Sequence, residues 1–270
     1  MAESAAAIRL IVPTRDCHTL LPRLVASLQR QTLSQWRVSF IDASTSEETP
    51  AWLGQLCRQD PRFDWHPQQQ DRRGIFGAMN QGFELAEPNE WLLFWGSDDW
   101  AAGDTVLAEA RCCLEAAGER GSGPDLLVAT GRYYHLDPEA EPRPGRRSAL
   151  RWRHSYRRSL LLGSTPPHQA TLIGPGARRH LAAYREEFRI AADLDYFLRL
   201  SRWPDLRIVP IPLELVHMGD GGVSGQQTKR RLRDVRQAYR AAFGPLWPLP
   251  FLLRYAQRLL SRFNRQDTPA

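Results

Sequence analysis

Short apolar runs alternate with stretches of helical period through the first half of the chain. Residues 8–13, 38–42, 63–66, 91–95 and 126–130 form the apolar runs, and 21–31, 49–59, 75–86 and 104–117 carry helical spacing between them. This alternation predicts an α/β fold, a Rossmann-like, mostly parallel sheet flanked by helices. Ligands of such sheets collect beyond the carboxyl ends of the strands. Those ends are polar here: Thr14-Arg15-Asp16, Asp42-Ala43-Ser44 and Ser97-Asp98-Asp99.

The second half is less regular. Pro, Gly and Arg crowd residues 137–153, which predicts a mobile loop. A strand over 169–173, a helix over 192–202, a strand over 207–211, a Gly-rich loop over 219–225 and a basic helix over 228–243 follow. Beyond Pro248, Phe251, Leu252, Tyr255, Leu259 and Phe263 recur at helical spacing beside a basic stripe of Arg254, Arg258 and Arg262. Such a pattern fits an amphipathic helix lying in a membrane interface, or a helix packed on its own domain. The chain divides on this reading into one domain, 1–245, and a C-terminal amphipathic helical tail, 246–270.

Composition narrows the class. Hydrophobic residues make up 42% and charged residues 24%, which excludes a disordered or fibrous chain. The net charge of +6 suits nucleic acid, anionic lipid or a diphosphate substrate alike. Lys229 is the single lysine among 36 basic residues. Arginine's planar fork suits phosphate groups, although GC-rich coding produces the same bias. Cys17, Cys57, Cys112 and Cys113 form no CxxC pair, so free thiols in a reducing compartment are expected. The start MAESAAAIRLIVP lacks a basic segment followed by a long apolar core, and no leader is expected. No run of 18 apolar residues predicts a spanning helix. The expected location is cytoplasmic, with peripheral contact at the inner face of the cell membrane.

The sharpest chemical signal is the apolar run that ends in Gly96-Ser97-Asp98-Asp99. Adjacent carboxylates repel unless a cation or a donor-rich ligand compensates. Mg²⁺ or Mn²⁺ takes oxygen ligands and shares them with substrate phosphates. The plainer alternative is a pair of acids capping a turn.

Four blocks in order settle the direction: IRLIVPTRD with FIDASTSEET; DRRGIFGAMNQGFELA; LLFWGSDDW; and HQATLIGPGARRHLAAYREEFRIAADLDYFLRL with GDGGVSG. In these the chain resembles the family 2 inverting glycosyltransferases of GT-A fold that build bacterial surface polysaccharides. The resemblance covers about residues 8 to 225. It implies a nucleotide-sugar donor, a divalent metal (Mn or Mg) and a glycan or lipid-linked sugar acceptor, with no nucleic acid partner. Carried over by position, it puts Pro13, Thr14, Arg15 and Asp42 around the nucleoside, with Asp42 facing the base, and Gly74 and Asn80 near the donor ribose and sugar. Asp98 would contact the donor, Asp99 the metal, and His217 the metal or diphosphate. Asp193 stands where the family has its general base.

The chemistry asks for such a base independently. An inverting transfer needs one carboxylate to take the acceptor's proton while the diphosphate leaves on the opposite face. Asp193 and Asp195, two apart on a helix, point to different faces, so one of them serves. Asp193 as a helix cap is the structural alternative. Weaker candidates are His168, for acceptor or metal, and Arg72 with Arg73, as a phosphate clamp or a solvated pair. The family's usual GIYDAMNKG has Phe76, Gly77 and Gln81 in place of its tyrosine, aspartate and lysine, which leaves donor identity open. A nucleotidyltransferase would need a Lys-bearing phosphate loop near the N-terminus, and a basic binding protein a nucleic-acid signature; neither is present.

Overall fold

The computed structural model describes residues 7–119, 123–137, 140–147, 156–220 and 228–263. The first half alternates as the apolar pattern predicts: β1 (Ile8–Thr14), α1 (Leu21–Gln29), β2 (Trp36–Asp42), α2 (Glu48–Gln59), β3 (Phe63–Pro67), α3 (Gly74–Leu85) and β4 (Trp91–Phe94). These strands pair in parallel, so Thr14 lies beside Asp42 at the carboxyl edge. Strand alternation sends Leu10 and Val12 to a core under α1 and α2, and Ile11 to a second core with Phe83, Phe94, Tyr196 and Tyr239. A Cβ on Gly82 would sit 2.3 Å from Ile11 Cγ2, so the missing side chain lets α3 lie directly on β1.

The chain continues through β5 (Trp100–Ala101), α4 (Val106–Gly118), β6 (Leu126–Asp137), β7 (Ala140–Arg147), α5 (Tyr156–Leu161), a 3-10 turn (His168–Ala170), β8 (Thr171–Ile173), α6 (Pro175–His180), α7 (Ala192–Leu200), β9 (Ile208–Gly219), α8 (Thr228–Phe243) and α9 (Pro248–Phe263). The nine strands among the described residues form one sheet, ordered β3-β2-β1-β4-β8-β6-β9-β5, with β7 on β6. β8 runs antiparallel to both β4 and β6, and β6 and β9 pair in parallel.

Three expectations change. Residues 140–147 of the expected loop form β7, antiparallel to β6; Pro142 and Pro144 are tolerated because β7 pairs only with β6. The strand expected at 207–211 extends to Gly219, because register shifts opposite Val128 and Thr130 absorb the irregularity around Pro210 and Pro212. Of the Gly-rich loop, 221–227 lie outside the described residues. In the tail, Trp247, Phe251 and Tyr255 stack in series at 5.4 and 5.1 Å. Trp247 and Phe251 pack against the core, and Arg254 donates to the Gly163 carbonyl at 3.0 Å. Part of the expected apolar face and basic stripe is therefore engaged with the body of the protein. The side chains of Arg258, Leu259, Arg262 and Phe263 lie outside the described residues.

Candidate active site

The carboxyl ends of β1 and β2 are tied together by side chains. Thr14 Oγ1 donates to Asp42 Oδ1 at 2.8 Å, and Ser44 Oγ to the same oxygen at 2.7 Å. The second Asp42 oxygen makes no hydrogen bond among the described residues. Asp16, held in the left-handed region at φ 46°, accepts the Thr45 and Ser46 N–H groups at 3.0 and 3.1 Å. Those bonds, the Ser46 N–H first, hold its carboxyl below the usual range. Pro13 is half-buried and Arg15 exposed at this rim. The Cys17 thiol beneath, pushed up by burial, meets the Ser97 hydroxyl and so joins the β1 loop to the β4 loop.

The β4 loop turns sharply. Gly96 N donates to Asp99 Oδ2 at 2.6 Å, and the Gly219 N–H reaches the same carboxyl, so Asp99 does close a turn. Burial, then the neighbouring Asp98, nevertheless drives Asp99 well above the carboxylate range. Burial also raises Asp98, and Asp220 adds to the shift. A Cβ on Gly219 would lie 2.5 Å from Asp98 Oδ2, so β9 reaches this turn closely. Two desolvated oxygen donors that resist ionisation together fit a hard divalent cation, which would remove the penalty. His217 is opposite Trp100 in register, its Nε2 lies 3.1 Å from Glu214 Oε1, and its ring packs on Tyr134 at 4.5 Å. Burial lowers its pKa. Among the described residues no three His, Cys, Asp or Glu gather as a metal site.

Across the end of β4 stands α7. Its N-cap is Ala191 with no side-chain cap, so Asp193 does not serve as one. Asp195 is buried and bound by Arg199 at 2.7 Å and Arg185 at 3.5 Å. Asp193 is half-buried and has neither hydrogen bond nor ion pair among the described residues. His168 fills the space between: it stacks on Phe94 at 5.5 Å and meets Tyr184 Oη at 2.7 Å. Burial lowers the His168 pKa, while the Asp193 charge pulls the other way. The field of Asp193 therefore reaches a ring stacked on the last residue of β4, five positions before Asp99.

The α3 entry is bound to the same region. Glu186 Oε1 accepts from Arg72 at 3.1 Å and from Asn80 at 3.0 Å, and Glu186 Oε2 from Arg73 N at 3.2 Å. Asn80 also donates to the Tyr184 carbonyl and accepts its N–H, so its amide is fully engaged within the protein. The Arg73 side chain is exposed, and Gly74 opens the helix at φ +70°. A Cβ on Gly77 would fall 2.8 Å from the Arg72 carbonyl carbon, which accounts for glycine where the resemblance expects aspartate.

Two positions escaped sequence reasoning. Glu186 gave no signal among many surface acids. Asp234 did: it is the single acid of basic α8 and falls at helical spacing with Val235, Ala238 and Tyr239. Its buried Oδ2 accepts both Arg189 N and Ile190 N at 2.9 Å, fixing the turn that leads into Asp193.

Comparison with known proteins bears on the family and the fold. The family model described as Glycosyl transferase family 2 matches residues 10–187. A PGL/p-HBAD biosynthesis glycosyltransferase of Mycobacterium tuberculosis is 26% identical over 199 residues, covering 73% of this chain and 70% of the relative. Campylobacter jejuni GalNAc(5)-diNAcBac-PP-undecaprenol beta-1,3-glucosyltransferase is 27% identical over 92 residues, 34% of this chain and 29% of its own. Among solved structures, S. aureus TarS in complex with UDP-GlcNAc superposes with TM-score 0.65 at 15% identity, covering 96% of this chain and 73% of its own. The mannosyltransferase PcManGT of Pyrobaculum calidifontis, in complex with GDP-Man and Mn2+, gives 0.62 at 16% identity, covering 97% and 76%.

Proposed function

The chain belongs to glycosyl transferase family 2 and is a glycosyltransferase of GT-A fold, and from that premise we propose how it works: an inverting transfer from a nucleotide-diphosphate sugar to a hydroxyl of a lipid-linked glycan acceptor. The observation that carries the proposal is the carboxylate of Asp193, which makes no hydrogen bond or ion pair among the described residues and acts on His168, the ring stacked on Phe94 at the end of β4, ahead of the turn that holds Asp98 and Asp99. Its neighbour Asp195 is neutralised by two arginines and is excluded from the role.

In this reading the free oxygen of Asp42 faces the base, with Thr14 fixing its orientation, and Pro13 and Arg15 border the nucleoside. Arg73 and Gly74 approach the phosphates. Asn80 acts at one remove, by holding Glu186 and with it the Arg72-Arg73 turn. Asp99 holds the divalent cation with Asp98 beside it, and bound there the ion would neutralise the departing diphosphate. His217 Nε2 is engaged by Glu214, which leaves Nδ1 as the nitrogen for the cation or the diphosphate. Asp193 takes the acceptor hydroxyl proton as the new C–O bond forms and the bond to the diphosphate breaks on the opposite face.

The lipid-linked acceptor finds support in the undecaprenol-linked acceptor named for the Campylobacter relative, and a place in surface polysaccharide synthesis is proposed from the resemblance alone. Transfer assays with a panel of UDP-, GDP- and dTDP-sugars, Mn²⁺ and a prenyl-diphosphate-linked sugar test the proposal. Sugar transfer with inverted anomeric configuration is expected from one donor. Retention of configuration, or product formation undiminished by Asp193→Asn, would overturn it.

A further inference from the structure

The helices α8 and α9 present a face that the transfer reaction does not use. On α8, Val235, Ala238 and Tyr239 are buried, while Arg233, Arg236 and Arg240 stand outward. With Gln237 these arginines line a shallow groove of about 580 Å³. Residues 228–263 carry nine basic side chains and one acid, Asp234. That acid is turned inward onto Arg189 and Ile190, so no carboxylate from these helices tempers the arginine face.

The α9 helix adds apolar surface to it. Its aromatic series faces inward, and Arg254 and Gln257 anchor it to the carbonyls of Gly163 and Leu162. That orientation leaves Leu246, Leu249 and Leu252 at 67, 52 and 65% exposure. Leu246 and Leu249 flank Trp247, whose ring lies under Arg236 at 5.1 Å, so exposed leucines and outward arginines meet where the two helices join, and they match the two layers of a bilayer surface, acyl chains below and phosphates above. Two copies of this chain meeting face to face would bury the leucines but oppose like charges. No helix among the described residues is long and apolar enough to cross a membrane, so the contact would lie in the plane of the surface.

We propose that this outer face of α8 and α9 docks on a bilayer rich in anionic phospholipid. The inference stands apart from the assigned reaction, because binding is read without donor or acceptor. The experiment is co-sedimentation of the full chain with phosphatidylcholine vesicles, with and without phosphatidylglycerol. Binding is expected only when phosphatidylglycerol is present. Arg233→Gln/Arg240→Gln should weaken it about tenfold; Arg236 is kept because it lies over the Trp247 ring at 5.1 Å. Leu249→Ser/Leu252→Ser should weaken it as well at unchanged charge, with Leu252→Ser as the milder variant. Circular dichroism melting checks that each variant remains folded.

Equal partition onto neutral vesicles would overturn the proposal. So would binding indifferent to the leucine changes, since charge alone equally holds free phosphate. Retention on duplex DNA with no vesicle binding would assign the arginines to nucleic acid. A dimer in light scattering that Leu252→Ser dissolves would assign the leucines to a second copy.

Discussion

Asp42, at the carboxyl end of β2, and Asp193, in the first turn of α7, are both carboxylates, yet they are held in opposite ways. Asp42 is the last residue of a central parallel strand, buried, and oriented directly by Thr14 and Ser44 from the adjoining loops. Asp193 accepts no hydrogen bond among the described residues; its helix is placed from a distance by Asp234 on α8, by Asp195 with its arginines, and by the Tyr184–His168 contact. A group that recognises a constant part of its ligand gains from being fixed by hydrogen bonds. A group that must accept a proton needs open lone pairs, so its positioning is delegated to neighbours.

The largest effect that separates the two sides is expected from Asp193→Asn. It should lower kcat about a hundredfold or more with donor affinity unchanged. A parallel rise in donor KM would place Asp193 on the donor side and break the distinction. Next, Asp99→Ala should abolish metal-stimulated donor binding, a loss of about tenfold to a hundredfold by calorimetry. Unaltered Mn²⁺ dependence would remove Asp99 from that role.

Asp234→Ala tests whether positioning at a distance matters. Two buried N–H groups lose their acceptor, so a loss of about 1–3 kcal/mol of stability is expected in denaturant unfolding. A roughly tenfold fall in kcat at constant donor KM should accompany it. Lost stability with full turnover would make Asp234 a purely structural residue.

The smallest effect is in pH. Asp98 and Asp99 are raised in the folded protein, so it holds their protons to higher pH than the unfolded chain does. The stability they contribute is complete below the ordinary carboxylate range and is lost as pH rises through the raised values. Metal-free protein should therefore melt lower as pH climbs above about 4, and Mn²⁺ should restore a Tm increment that grows with pH. An increment independent of pH would separate the ion from these acids.

The donor side was legible for a physical reason. Its polar groups sit at the ends of short apolar strands, where periodicity and position coincide in sequence, as at Thr14, Asp42 and Asp98-Asp99. The acceptor side depends on ties of long sequence separation. Asn80 meets Tyr184 104 residues away, and Asp234 meets Ile190 across 44. No local pattern encodes such pairs, so Asp193 was found by resemblance and its supports were largely missed. The strand β7 escaped because proline and glycine dominate its composition, yet pairing on one side only tolerates both.

The two hydrogen bonds from Asp234 give α8 a double attachment. One side of a single rigid rod grips the turn ahead of the proton acceptor, and the other carries the arginine row. Any load on the row is thus transmitted to the turn without passing through the sheet. If the proposed roles of Asp193 and the arginine row hold, α8 would link adsorption at a surface to catalytic throughput through these two bonds.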